Sequence, residues 1–97
     1  MQTFILTIDW TDKGINAIKD APERGKASRA LAKKLGVEVK EAYSTSGEHD
    51  LLVIVEAPHV ENVTKFAFAI SSLGNMRTRT SIAWTEAEWT KLVSELP

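Results

Sequence analysis

His49 and Asp50 are the residues of this chain whose types best suit proton transfer, since an imidazole can take or give a proton near neutrality and a carboxylate can orient it. Being adjacent, they point to opposite faces of an extended chain and cannot act as a pair on one surface. His49 is therefore the candidate catalytic acid or base. Asp50 is expected to accept from the amides of the turn around Gly47. Arg77 and Arg79 lie two apart, about 7 Å on one face of a strand, and could clamp a carboxylate or another anion. Pairing with Asp9 or Glu56, or protection of an edge strand, is the structural alternative. Tyr43, Trp10 and Trp84 offer apolar bodies with polar tips, suited to lining a pocket or to packing at strand ends. The candidate ligand-binding set is Tyr43, His49, Asp50, Arg77 and Arg79. His49 and His59, with Glu48, Glu56 and Glu61 nearby, show no standard metal spacing. Neither a Gly-rich phosphate loop nor a nucleophile elbow is present, so no metal and no cofactor are expected.

These residues need a scaffold, and the stretch from Tyr43 to Pro58 supplies its centre. Leu51 to Val55 is an unbroken apolar run, as expected of a strand covered on both faces, and Val37 to Ser46 alternates like an outer strand paired with it. Gly47 is expected to permit a tight reversal between them. Thr3 to Trp10 reads as a first strand, with Phe4, Leu6, Ile8 and Trp10 on one face and Thr3, Ile5, Thr7 and Asp9 on the other. Thr11 or Asp12 can cap a helix that is interrupted at Asp20-Ala21-Pro22-Glu23, a second helix start, and that ends near residue 35 before Gly36. Ile15 and Ile18 share one side of it, and Ala27, Ala30, Leu31 and Leu35 are its expected core stripe. A helix after Pro58 turns Val60, Val63, Phe66, Ala67, Ile70 and Leu73 inward, and leaves Phe68 outside at ~100° per residue. Met76 to Trp84 is polar enough for an edge strand. Thr85 to Glu88 forms a capping box for a terminal helix whose Trp89, Leu92, Val93 and Leu96 should lie on something apolar.

Composition sets further bounds. The 97 residues are 43% hydrophobic and 26% charged, consistent with one soluble domain over residues 1–97 and one core. A net charge of −1 without a basic face argues against a nucleic-acid partner. The chain has no cysteine, so it carries neither disulfides nor thiolate chemistry. The first nine residues have no basic start and reach an acid at Asp9, which predicts neither a signal peptide nor a membrane span, and the expected location is cytoplasmic.

The order strand, helix, strand, strand, helix, strand, with an added C-terminal helix, predicts a ferredoxin-like α+β fold whose first and third strands are central. Two helices cover one face of such a sheet. Ile5, Leu52 and Ile54 make the other face too apolar for open water, and predict a homodimer or higher homo-oligomer through it.

The segment Ala21-Pro22-Glu23-Arg24, the hairpin Gly47-Glu48-His49-Asp50 and the run Gly74 to Thr80 resemble the GYD domain family of the dimeric α+β barrel superfamily over nearly the whole chain. The family's name motif has tyrosine where this chain has His49. The layout is similar to the effector-binding domain of Lrp/AsnC regulators, which also places Gly and Asp at this hairpin. The resemblance implies the dimeric barrel but supplies no reaction. Three functions are weighed: a small-molecule-binding or sensing homodimer, a small cofactor-free oxygenase or isomerase with His49 as base and Arg77 as anion stabiliser, and a structural or partner-binding module. A cavity carrying His49 or an arginine would favour the first two, and a packed interior the third.

Overall fold

The protein is described over residues 1–97 by a computed structural model. Strand β1 (Gln2–Trp10) lies between β3 (Leu51–Ala57) and β4 (Met76–Ala83), and β2 (Glu38–Ser44) pairs with the far side of β3. The antiparallel order is β2-β3-β1-β4. The two apolar strands take the centre and the two polar ones the edges, because only the edges can leave polar side chains and unpaired backbone groups to water. Helices α1 (Asp12–Asn16), α2 (Ala21–Lys34) and α3 (Val60–Ser71) follow the strands in the ferredoxin-like manner, with a 3-10 turn at Ile18–Asp20 between the first two. The core forms between sheet and helices from Phe4, Leu6, Ile8, Val55, Val63, Phe66 and Ile70.

Local chemistry fixes the helix boundaries. The Thr11 side chain accepts from Gly14 N at 3.1 Å, as an N-cap should, and its hydroxyl donates to Gly74 O at 2.6 Å. Lys13 Nζ donates to Leu73 O at 2.8 Å, so α1 is clamped onto the turn between α3 and β4. The approach is close enough that a Cβ on Gly14 would lie 1.9 Å from the Asn75 carbonyl oxygen. Proline in the first turn starts α2, and Gly36, at φ +78°, ends it.

Several expectations are corrected. Ala27 and Ala30 are exposed, whereas Ala32 is buried and Leu31 and Leu35 are half-buried, so the inward stripe of α2 is rotated from the one the leucines suggest. Ile15, Ile18 and Leu73 are exposed, as is Phe68, the last as the helical spacing predicts. Gly47 does not adopt positive φ, and residues 45–50 form a loop in place of a tight turn. Helix α4 (Glu86–Ser94) carries the expected capping box, with Thr85 N donating to Glu88 Oε1 at 2.8 Å and Glu88 N to Thr85 Oγ1 at 3.2 Å. Its apolar stripe covers nothing within the chain: Trp89 is 59% exposed, and no other element packs substantially against the helix.

Candidate functional site

Cross-strand register places most of the sequence-derived candidates on the sheet face opposite the helices, because directly opposed residues share a face. Tyr43, Leu52, Thr7 and Arg79 form one row across the four strands, and Glu41, Ile54, Ile5 and Ser81 form the next. Asp9 stands opposite Arg77 at the end of this face. Tyr43 and Arg79 are on opposite edges, separated by three strand spacings or about 14 Å, so they cannot close on one small ligand within a single chain. The irregularity between Val39 and Glu41 keeps Glu41 and Tyr43 on this outer face while turning Ala42 and Ser44 inward.

The loop of residues 45–50 folds back onto the end of β1. His49 Nδ1 lies 3.2 Å from Asp9 Oδ2, with both side chains partly buried. The Asp50 carbonyl accepts from Thr45 N across the loop at 2.9 Å, but its carboxylate does not serve the turn. Its Oδ2 accepts from Trp10 N at 2.9 Å, and its own N–H donates to Ile8 O at 3.1 Å and more weakly to Asp9 Oδ1 at 3.3 Å. The Asp50 carboxylate thus supplies an acceptor where the β1 and β3 ladder runs out. An imidazole oriented through Nδ1 by a carboxylate presents Nε2 outward, an arrangement suited to proton transfer. The partner of His49 is Asp9, forty positions away, and not its sequence neighbour.

A largely apolar cavity lies on the helix-covered side. About 310 Å³ opens between the N-terminal half of α2 and the sheet, within the size range of small-ligand sites. The cause is visible in the residues that α2 turns toward it: Ala21, Gly25 and Ser28, followed by buried Ala32, leave a gap where larger side chains would have filled it. Trp10, Leu51 and Val53 floor the gap, while Phe66 and Ile70 of α3 close one side. Arg24 spans its α1 end. Arg24 Nη1 donates to Ala17 O at 2.9 Å, Nη2 reaches Gly14 O at a long 3.5 Å, and the guanidinium carbon sits 5.8 Å from the Trp10 ring centroid. Its Nε is buried without a partner. None of Tyr43, His49, Asp50, Arg77 and Arg79 lines this cavity. The spacing of small residues at 21, 25, 28 and 32 was the available sequence signal for it.

A four-stranded antiparallel sheet in this order, with helices on one face and an open apolar face on the other, defines a ferredoxin-like α+β domain. The chain belongs to the GYD domain family, which matches residues 4–93. Among solved structures it is similar to the feast or famine regulatory protein Rv3291c of M. tuberculosis complexed with L-methionine, with a TM-score of 0.65 and 22% identity over 88% of this chain and 51% of that one. It is also similar to FFRP-DM1, at 0.60 and 27% over 87% of this chain and 100% of that one. A third likeness is hypothetical protein PHS023 of Pyrococcus horikoshii, at 0.53 and 30% over 89% and 93%. The chain spans about half the length of the M. tuberculosis regulator. No curated protein sequence matches it. No helix is long and apolar enough to cross a membrane.

Proposed function

We propose that this domain binds and senses a small molecule held between α2 and the sheet, and that it does so as a homodimer joined through the open sheet face. The observation that carries the ligand reading is the cavity of about 310 Å³, which a purely structural domain would have closed by packing. A regulator of the same fold, solved with L-methionine, supports sensing as a use of this architecture.

Charge pattern supports the dimer. Ile5, Leu52 and Ile54 lie centrally on the open face, Glu38, Glu41 and Glu56 lie toward the β2 edge, and Arg77 and Arg79 lie on β4. A two-fold axis parallel to the strands brings each acidic edge over the partner's basic edge, whereas an axis across the strands sets acid against acid.

Amide shift mapping of labelled protein tests the ligand reading. L-methionine, other amino acids and small aromatic acids and neutrals would be titrated, with shifts expected at Gly25, Ser28, Ala42 and Ser44. Shifts confined to the open face, or none with any compound, would overturn the assignment to the cavity.

The His49 and Asp9 contact favours a second reading, a small cofactor-free enzyme in which Asp9 orients His49 as base. The sheet separates that pair from the cavity, so a substrate would have to sit on the open face, within the dimer. Turnover of phenolic or quinone-like compounds under oxygen, lost in His49→Ala, is the outcome this reading requires.

A further inference from the structure

Resting on the reading of the α2 cavity as the ligand site, we propose that its ligand is a small carboxylic acid with an apolar body, gripped at the carboxylate by the side-on edge of Arg24. Eleven of the 17 residues lining the cavity are hydrophobic, so the body of the occupant must be apolar to gain by entering. The polar contribution is one-sided. Arg24 and Arg29 both line the cavity, Ser28 and Ser44 add hydroxyls, and no aspartate or glutamate is among the lining residues.

Neither arginine has a counter-ion within the chain. Its ion pairs are Lys26 with Glu23, Lys40 with Glu38, and His49 with Asp9. Arg24 is nevertheless held in place, because Nη1 is tied to Ala17 O and the guanidinium lies near the Trp10 ring. Nε is buried and unpartnered and Nη2 is engaged only at 3.5 Å, so two neighbouring donors of the guanidinium are not satisfied within the chain. Together they are the pair of parallel N–H donors that takes a carboxylate bidentately when the side chain turns them to the cavity. A partly buried cation with a free donor is unfavourable when left alone and is satisfied by an anion that arrives with the ligand. An amine would meet like charge, and a neutral amide would fill the space but would leave the cation unneutralised.

The test uses the full chain and three sets of probes: the carboxylates phenylacetate, 4-phenylbutanoate and octanoate, their primary amides, and the corresponding amines. Calorimetric or amide-shift titration should give at least one carboxylate an affinity about tenfold or more above its amide, with no binding by its amine. Arg24→Gln should bring acid and amide to equal, weak binding, and Arg24→Lys should retain a smaller preference for the acid, since the charge remains without the fork. Ser28→Leu, which fills the cavity and keeps the Arg24 charge, should abolish both. If acids, amides and amines bind alike and Ser28→Leu removes them all, the cavity is a ligand site but the carboxylate assignment is wrong. If none of the probes binds, or binding survives Ser28→Leu, the cavity reading and this proposal fall together. Should Arg24→Gln fail to fold, the comparison of acid with amide on the unaltered protein decides the matter.

Discussion

Asp50 and His49 sit side by side in sequence and do different work. Asp50→Ala removes a charged acceptor from Trp10 N and should cost about 1.5 to 3 kcal/mol, the range of hydrogen bonds to charged groups, toward the low end because the carboxylate is exposed. His49→Ala should cost less than ~1 kcal/mol, as its contact with Asp9 is partly solvated. Chemical denaturation of both variants checks this order, and a larger loss at His49 would contradict it. Two glycines should respond in opposite directions. Gly14→Ala drives a Cβ into the Asn75 carbonyl and should destabilise by about 2 kcal/mol or more. Gly25→Ala meets open space inside a helix at ordinary φ, and should stabilise by about 0.5 to 1 kcal/mol. The chemistry of individual residues was legible in the sequence, but their partners were not. Asp9 and His49 are joined by strand pairing over forty positions, and nothing local marks Asp50 as an acceptor for β1 instead of for its own turn.

The element order, the central and edge strands, the cap at Thr85 and a cap at Thr11 or Asp12 could be read from the chain, because periodicity and capping are local signals. The face of α2 could not. Its leucines mark only the C-terminal half, and the small residues at 21, 25 and 28 act through the space they leave open, which no hydrophobic pattern reports. The same limit applies at α4, where an apolar stripe reads as buried although the chain itself offers it no partner surface. Trp89→Ala should consequently change the stability of the isolated chain by less than ~0.5 kcal/mol, far below the cost of deleting a buried aromatic. A large shift in melting temperature would mean that something does cover the ring. The start of α4 should also respond to acid. Hydrogen bonds from the Thr85 backbone and hydroxyl hold the Glu88 carboxyl below its ordinary value of 4.5. With the folded value depressed, its stabilisation of the helix start is fully present above 4.5 and fades as pH falls through the folded value. Lower amide protection in the first turn of α4, measured against the intrinsic exchange rate at each pH, on acidification below 4.5 would show it.

At the scale of the molecule, the sheet separates two surfaces of different shape and chemistry. The open face is apolar at its centre, acidic toward one edge and basic on the other, and Ile54→Lys should convert the proposed dimer to monomer or aggregate by placing a charge within it. Light scattering that finds the unaltered protein monomeric at micromolar concentration would refute this assembly. The covered face holds the cavity, with an arginine at one end, and this feature separates the binding reading from that of a purely structural module. Trp10 floors that cavity beneath Arg24 and is one of three tryptophans in the chain, so replacing Trp84 and Trp89 by phenylalanine leaves a single reporter at the proposed site. The most direct test is titration of this single-tryptophan protein with the phenyl and alkyl carboxylates. The account predicts a saturable change in Trp10 emission that Ser28→Leu abolishes; binding seen by calorimetry without any change at Trp10, or a change that survives Ser28→Leu, would contradict it.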